Sequence, residues 1–97
     1  MLEKDIEKYL TAQVKKMGGL CLKFISPGNA GVPDRIILLP WGNIWFVEVK
    51  KPGGRIAPLQ KWWQRKLQGL GFPAVIIKSQ TEAEVFITLI KEEPREV

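Results

Sequence analysis

The chain has 97 residues, 45% hydrophobic and 26% charged, with a formal net charge of +5. That describes one small globular domain, 1–97, or a protomer of an oligomer, and the basic balance favours an anionic partner, nucleic acid first. A single cysteine and no histidine exclude an intramolecular disulfide, Cys- or His-based zinc sites and every His-dependent triad or nuclease.

Any chemistry here must rest on carboxylates, lysine, hydroxyls or a hard metal ion. The longest charge-free stretch, Ile36 to Val47, is too short for a membrane span, which takes ~20 residues, and no apolar signal region opens the chain. The expectation is a soluble cytoplasmic protein, bacterial or viral within its host, without a membrane partner.

Leu2, Ile6, Tyr9, Leu10, Val14 and Met17 recur at helical spacing, with Lys4, Lys8, Lys15 and Lys16 outside. Gly18-Gly19 stops that helix. Leu20 to Ile25 reads as a strand, with Cys21 in the core. Ser26 to Gly31 is a loop by its turn chemistry. Asp34 to Leu39 is a second strand, Pro40 to Asn43 a turn, and Ile44 to Lys50 a third strand. Lys51 to Arg55 is a basic, glycine-rich loop. Pro58 suits a first helical position, and Leu59, Trp62, Trp63, Leu67 and Leu70 then give a helix an apolar face, ending near Gly69 or Gly71. Pro73 to Ile77 is apolar throughout and predicts a strand buried on both faces. Thr81-x-x-Glu84 predicts a capping box ahead of Val85, Phe86, Leu89 and Ile90. The tail from Glu92 reads as frayed. Of the tryptophans, only Trp41 is expected to be exposed; Trp45, Trp62 and Trp63 are expected in a core or dimer contact.

Glu48-Val49-Lys50 ends an apolar strand. Alternation puts Glu48 and Lys50 on one face, roughly 6–7 Å apart, with Ile44 and Phe46. Alone, this also fits a strand that simply reaches solvent. Asp34 adds weight. If the hairpin closes through Pro40-Trp41-Gly42, with Gly42 left-handed, Leu38 opposes Ile44, Ile36 opposes Phe46 and Asp34 opposes Glu48. Two adjacent carboxylates repel unless a cation lies between them, and a hard divalent ion takes oxygen ligands. A slip by one residue would turn Asp34 to the other face.

Pro33-Asp34 followed by Glu48-Val49-Lys50 resembles the PD-(D/E)XK nuclease signature. With Gly31-Val32-Pro33-Asp34-Arg35, Phe46 to Lys50, Lys51-Pro52-Gly53-Gly54 and Pro58-Leu59-Gln60, the chain more closely resembles the VRR-NUC (virus-type replication-repair nuclease) domain over nearly its whole length. The resemblance implies an α/β fold with a restriction-endonuclease-like core. The expected order is α-β-β-β-α-β-α, a mixed sheet flanked by helices. It implies Mg²⁺ or Mn²⁺ held by Asp34, Glu48 and the Val49 backbone carbonyl, with Lys50 orienting the attacking water and offsetting charge on the phosphorane. Without histidine, metal-activated water is also the nucleophile that the composition leaves. Gln60 matches the family's helix-borne glutamine near the site, as an orienting or DNA-contacting group or an ordinary exposed residue. The related fold often takes a glutamate from the first helix. Glu3 and Glu7 both lie at the margin of the apolar stripe, and Glu7 has the favoured spacing to Gly18. Lys23, Ser26, Arg35, Lys51 and Arg55 are candidate phosphate contacts.

The favoured function is a metal-dependent, structure-specific DNA endonuclease, a Holliday-junction resolvase of DNA repair or recombination. Stand-alone members of the family resemble resolvases, and no flap-binding or helicase segment is visible. The alternatives are a flap, nicking or restriction-like endonuclease and, further off, a non-catalytic nucleic-acid-binding module. The expected partner is branched DNA, a four-way junction above all. A homodimer packed through Trp62, Trp63 and Pro73 to Ile77 would match the junction's two-fold symmetry.

Overall fold

The structure is a computed structural model and describes residues 2–92. The expected frayed tail lies, beyond Glu92, outside the described residues. The element order is α1 (Glu3–Lys16), β1 (Leu20–Lys23), β2 (Arg35–Leu39), a single turn at Pro40–Gly42, β3 (Asn43–Val49), α2 (Pro58–Gly69), β4 (Ala74–Ile77) and α3 (Gln80–Lys91). This is the expected α/β order. Among the described residues no helix is long and apolar enough to cross a membrane.

One mixed sheet runs β1-β2-β3-β4. β1, β2 and β3 form an antiparallel meander, and β4 joins β3 in parallel through the α2 crossover. The β2–β3 register is the one the apolar pairing dictates: Leu39 opposes Asn43, Leu38 opposes Ile44 and Ile36 opposes Phe46. The turn departs from expectation in one respect. Trp41 as well as Gly42 adopts positive φ, +69° and +78°, so a bulky residue occupies the left-handed region. Trp41 is exposed, as expected.

The core lies on one face of the sheet. Ile6, Leu10 and Val14 of α1 and Ala83, Phe86, Ile87 and Ile90 of α3 close over Ile37, Leu39, Val47, Val49 and Ile77. Trp45 packs at this margin, edge-on to Phe86 at 5.1 Å between ring centres. Cys21 is half-buried against the same cluster rather than inside it.

Three expectations need correction. The cap of α3 is Ser79, whose Oγ accepts from the Glu82 amide at 3.0 Å, while the Glu82 carboxylate accepts from the Lys78 amide at 2.8 Å. The helix starts earlier than Thr81, and its buried phase becomes Ala83, Phe86, Ile87 and Ile90, leaving Val85 and Leu89 exposed. The strand at 73–77 is not buried on both sides. β4 is an edge strand, with Pro73 exposed and Val75 and Ile76 half-buried. The apolar stripe of α2 is not core either. Leu59, Trp62 and Leu70 are exposed, and the buried residue of this helix is Gln64. α2 meets β4 through side-chain amides: Gln64 Nε2 donates to the Val75 carbonyl and Gln68 Nε2 to the Ala74 carbonyl, at 3.4 and 2.9 Å. The end of α2 is as the glycines foretell. Gly71, at φ +92°, and Phe72 return their amides to the Gln68 and Leu67 carbonyls, a left-handed helix stop.

Candidate active site

Asp34 and Glu48 meet at the open end of the β2–β3 hairpin, opposite the turn. Asp34 lies one residue before β2. Its backbone carbonyl accepts from the Phe24 amide, and its Oδ1 accepts from the Val49 amide at 3.1 Å. That second bond ties the carboxylate to the strand that carries Glu48. Glu48 is 4% exposed, flanked in sequence by the fully buried Val47 and Val49. Both acids resist ionisation. Burial raises the Asp34 carboxyl to about 6, and the charges of Glu7 and Glu3 push the same way. Burial raises Glu48 to about 7, with Asp34 adding to it and Lys50 opposing it. A pair of desolvated, mutually repelling carboxyls is an electrostatic demand for a cation.

Lys50 partly answers that demand, with its Nζ 3.8 Å from Glu48 Oε2. Gln60 reaches the same oxygen, Nε2 to Oε2, at 3.3 Å. Its other end is also used: Gln60 Oε1 accepts from the Ala57 amide at 2.9 Å and so caps the first turn of α2. Gln60 therefore locks the start of α2 to Glu48. The Gly28–Gly31 segment braces this arrangement from the other side. Trp63 Nε1 donates to the Ala30 carbonyl at 3.0 Å. Gly31 has φ +90°, and a Cβ there would stand 2.8 Å from Leu59 Cγ and 3.0 Å from the Leu59 carbonyl carbon.

The first helix brings both of its candidate glutamates. Glu3 and Glu7 stand one turn apart on α1, half-buried, and one carboxylate oxygen from each lies with one from Asp34, all within 4.8 Å of one another. The oxygen donors gathered here are of the kind Mg²⁺ and Mn²⁺ take, so the residues fit a hard divalent ion. Arg35, read from the sequence as a phosphate contact, donates to Glu7: its Nε is 3.0 Å from Glu7 Oε2, and its Nη2 bonds the same oxygen.

The remaining basic candidates lie around this end of the sheet's strands or in the loops beyond it. Lys23, Lys51 and Arg55 are exposed, and Ser26 is half-buried, with its Oγ accepting from Asn29 Nδ2 at 3.0 Å. Lys51 to Gly54 is a tight turn closed by the Gly54 amide on the Lys51 carbonyl at 2.8 Å, with Gly53 at φ +77°.

Comparison with known proteins identifies the family. The VRR-NUC domain family matches residues 3–81. The chain belongs to that family. A protein named "Putative nuclease p44" from Acyrthosiphon pisum secondary endosymbiont phage 1 is 46% identical over 78 residues, which are 80% of this chain and 84% of the relative. A solved VRR-NUC domain superposes with a TM-score of 0.82 at 29% identity, covering 95% of this chain and 97% of the other. The match spans every element up to the start of α3, so the VRR-NUC nuclease domain includes Asp34, Glu48, Lys50 and the helix-borne Gln60.

Sequence reading missed two features of this VRR-NUC site. One is the Arg35–Glu7 pair, whose partners are 28 residues apart and carry no local signal. The other is the exposure of Trp62, at 47%, since an amphipathic pattern names an apolar face without naming what covers it.

Proposed function

We propose that this VRR-NUC domain is a divalent-metal-dependent DNA endonuclease acting on branched DNA, with the four-way junction as its preferred substrate. The reading rests on one observation above others: Asp34 and Glu48, both with raised carboxyl pKa values, meet at one end of the hairpin, with Lys50 beside Glu48 and a glutamate pair from α1 beside Asp34. A protein that only bound DNA would gain nothing from acids placed beside phosphates.

Asp34, Glu48 and the Val49 carbonyl, with Glu7 from α1, would hold Mg²⁺ or Mn²⁺. When bound, that ion would supply Lewis acidity at the phosphate and bring a water's pKa within reach of neutral pH. The rest falls to the chain's own residues. Asp34 is kept in place by the Val49 amide, and Glu48 by the Gln60 amide. Lys50 Nζ places a positive charge where the pentavalent phosphorane gathers negative charge. Lys23, Ser26, Lys51 and Arg55 would contact flanking phosphates, which fix register without reading sequence.

A homodimer completes the reading. Paired nicks across a junction need two sites related by its symmetry. The exposed Leu59, Trp62, Leu70 and Phe72, together with the edge strand β4, supply the apolar area for a second copy.

The test is cleavage of labelled duplex, flap and four-way junction by the purified protein, with Mg²⁺, with Mn²⁺ and with chelator. Paired nicks in the junction, lost with chelator and lost in Asp34→Asn, are the expected result. Preferential cutting of flaps or nicking of duplex would replace the junction by those substrates. Cleavage that survives both chelator and Asp34→Asn would overturn the assignment. Heterodimers of wild type and Asp34→Asn should nick one strand without resolving the junction.

A further inference from the structure

Arg35 is placed in this site and yet spent on a carboxylate. Both of its hydrogen bonds go to Glu7, and to a single oxygen, Oε2. The two side chains are about equally buried, at 18% and 19% exposure. A carboxylate has room for roughly four hydrogen bonds or ligands across its two oxygens, so Oε1 keeps its lone pairs for a cation.

The support behind Arg35 is rigid. Arg35 opens β2 and pairs with Lys23 on one side and Val47 on the other, so its backbone is fixed by two neighbouring strands. Glu7, by contrast, reaches the site from a helix through a flexible side chain. Ordering such a side chain costs up to about 1.5–2 kcal/mol of rotamer freedom. A planar guanidinium fork anchored in a sheet does that ordering before any ion arrives. It also sets a positive charge beside the crowded carboxylates of Glu7 and Asp34.

We propose that Arg35 is a positioning residue: through its fork on Oε2 it fixes Glu7 in the orientation that ligates the divalent ion. The proposal rests on the metal-dependent reading given above. It assigns the residue after the catalytic aspartate to the ion, through Glu7, rather than to the phosphate backbone.

The experiment is Mn²⁺ binding without DNA, read from the paramagnetic resonance of the free ion, with circular dichroism confirming the fold of each variant. Arg35→Gln should weaken Mn²⁺ binding by about 10–100-fold, the usual loss when a ligand's supporting hydrogen bond is removed. Arg35→Lys keeps the charge but not the fork, and should fall between. Should Arg35→Gln fail to fold, Arg35→Lys carries the test and must still bind more weakly than wild type. Glu7→Ala should also weaken binding, and Glu7→Ala with Arg35→Gln should be no weaker than Glu7→Ala alone, because Arg35 acts through Glu7. Unchanged or tighter Mn²⁺ binding in Arg35→Gln, the latter expected of a guanidinium that merely stands in for the ion, would overturn the proposal. So would additive losses in the double variant, or a loss of DNA affinity with Mn²⁺ affinity intact. Asp34→Asn separates the two levels: if it binds Mn²⁺ like wild type, the metal-dependent reading itself falls.

Discussion

The two faces of the sheet come from alternate residues of the same strands and have opposite characters. On one, α1 and α3 close over Ile37, Leu39, Val47 and Val49, each 9% exposed or less. On the other, α2 covers the sheet loosely, keeps Leu59 and Trp62 in solvent, and approaches through Gln60, Gln64 and Gln68. Three consecutive residues of β3 hold the contrast: Val47 and Val49 belong to the dry core, while Glu48 between them is nearly as buried and ready to titrate. One face supplies the stability that lets the other hold two repelling carboxyls together. Stability and chemistry are thus separated by a step of one residue along a strand.

The strongest way to probe that division is to disarm the second face alone. Asp34→Asn, Glu48→Gln and Lys50→Ala should each lower junction cleavage by on the order of 10²–10³-fold or more while the protein stays folded, measured by single-turnover cleavage beside circular dichroism. Truncations should show the converse. Leu10→Ala or Ile37→Ala should cost about 2–5 kcal/mol in urea unfolding, as buried aliphatic truncations do. Trp62→Ala, at the exposed face, should cost less than about 1 kcal/mol in the monomer. A large loss there would mean that the apolar stripe is covered in solution.

Two glycines sharpen the comparison further. Gly31 and Gly28 both have positive φ, but a side chain at Gly31 would strike Leu59 whereas one at Gly28 meets nothing within 4 Å. Gly31→Ala should therefore destabilise by about 2–3 kcal/mol and displace α2 from Glu48, and Gly28→Ala by about 1 kcal/mol from backbone strain alone.

The last effect is a pH dependence. Asp34 and Glu48 hold their protons more tightly when folded, at about 6 and about 7, against 3.8 and 4.5 for the free side chains. Between those limits the folded protein binds more protons than the unfolded chain, so its stability is highest below about pH 4 for these two groups and falls as pH rises toward about 7. With chelator present, urea melts should show stability falling steadily across that window. Mg²⁺ should restore it, and Glu48→Gln should flatten the slope.

The hairpin register was legible because only one register pairs Ile36 with Phe46 and Leu38 with Ile44. That same pairing carries Asp34 to Glu48. The cap of α3 was not decided by local signals, since Ser79-x-x-Glu82 and Thr81-x-x-Glu84 both fit a capping box; only the buried phase of Ala83, Phe86, Ile87 and Ile90 selects the first. The family resemblance singled out Gln60, and no pattern showed that its two ends would join a helix start to a carboxylate. The Arg35–Glu7 pair forms only when α1 lies across the head of β2, a contact of tertiary structure that no spacing encodes.

The turn at Pro40–Gly42 and the two carboxylates occupy opposite ends of one hairpin. Closing a short loop precedes pairing of residues further apart in sequence, so a hairpin zips outward from its turn. Asp34 and Glu48 are then the last rung to form, reached when the apolar rungs have already latched. The folding nucleus is thereby spared their mutual repulsion. The Val49 amide, held by the Asp34 side chain rather than by a strand carbonyl, would report by its hydrogen exchange on the state of that carboxylate.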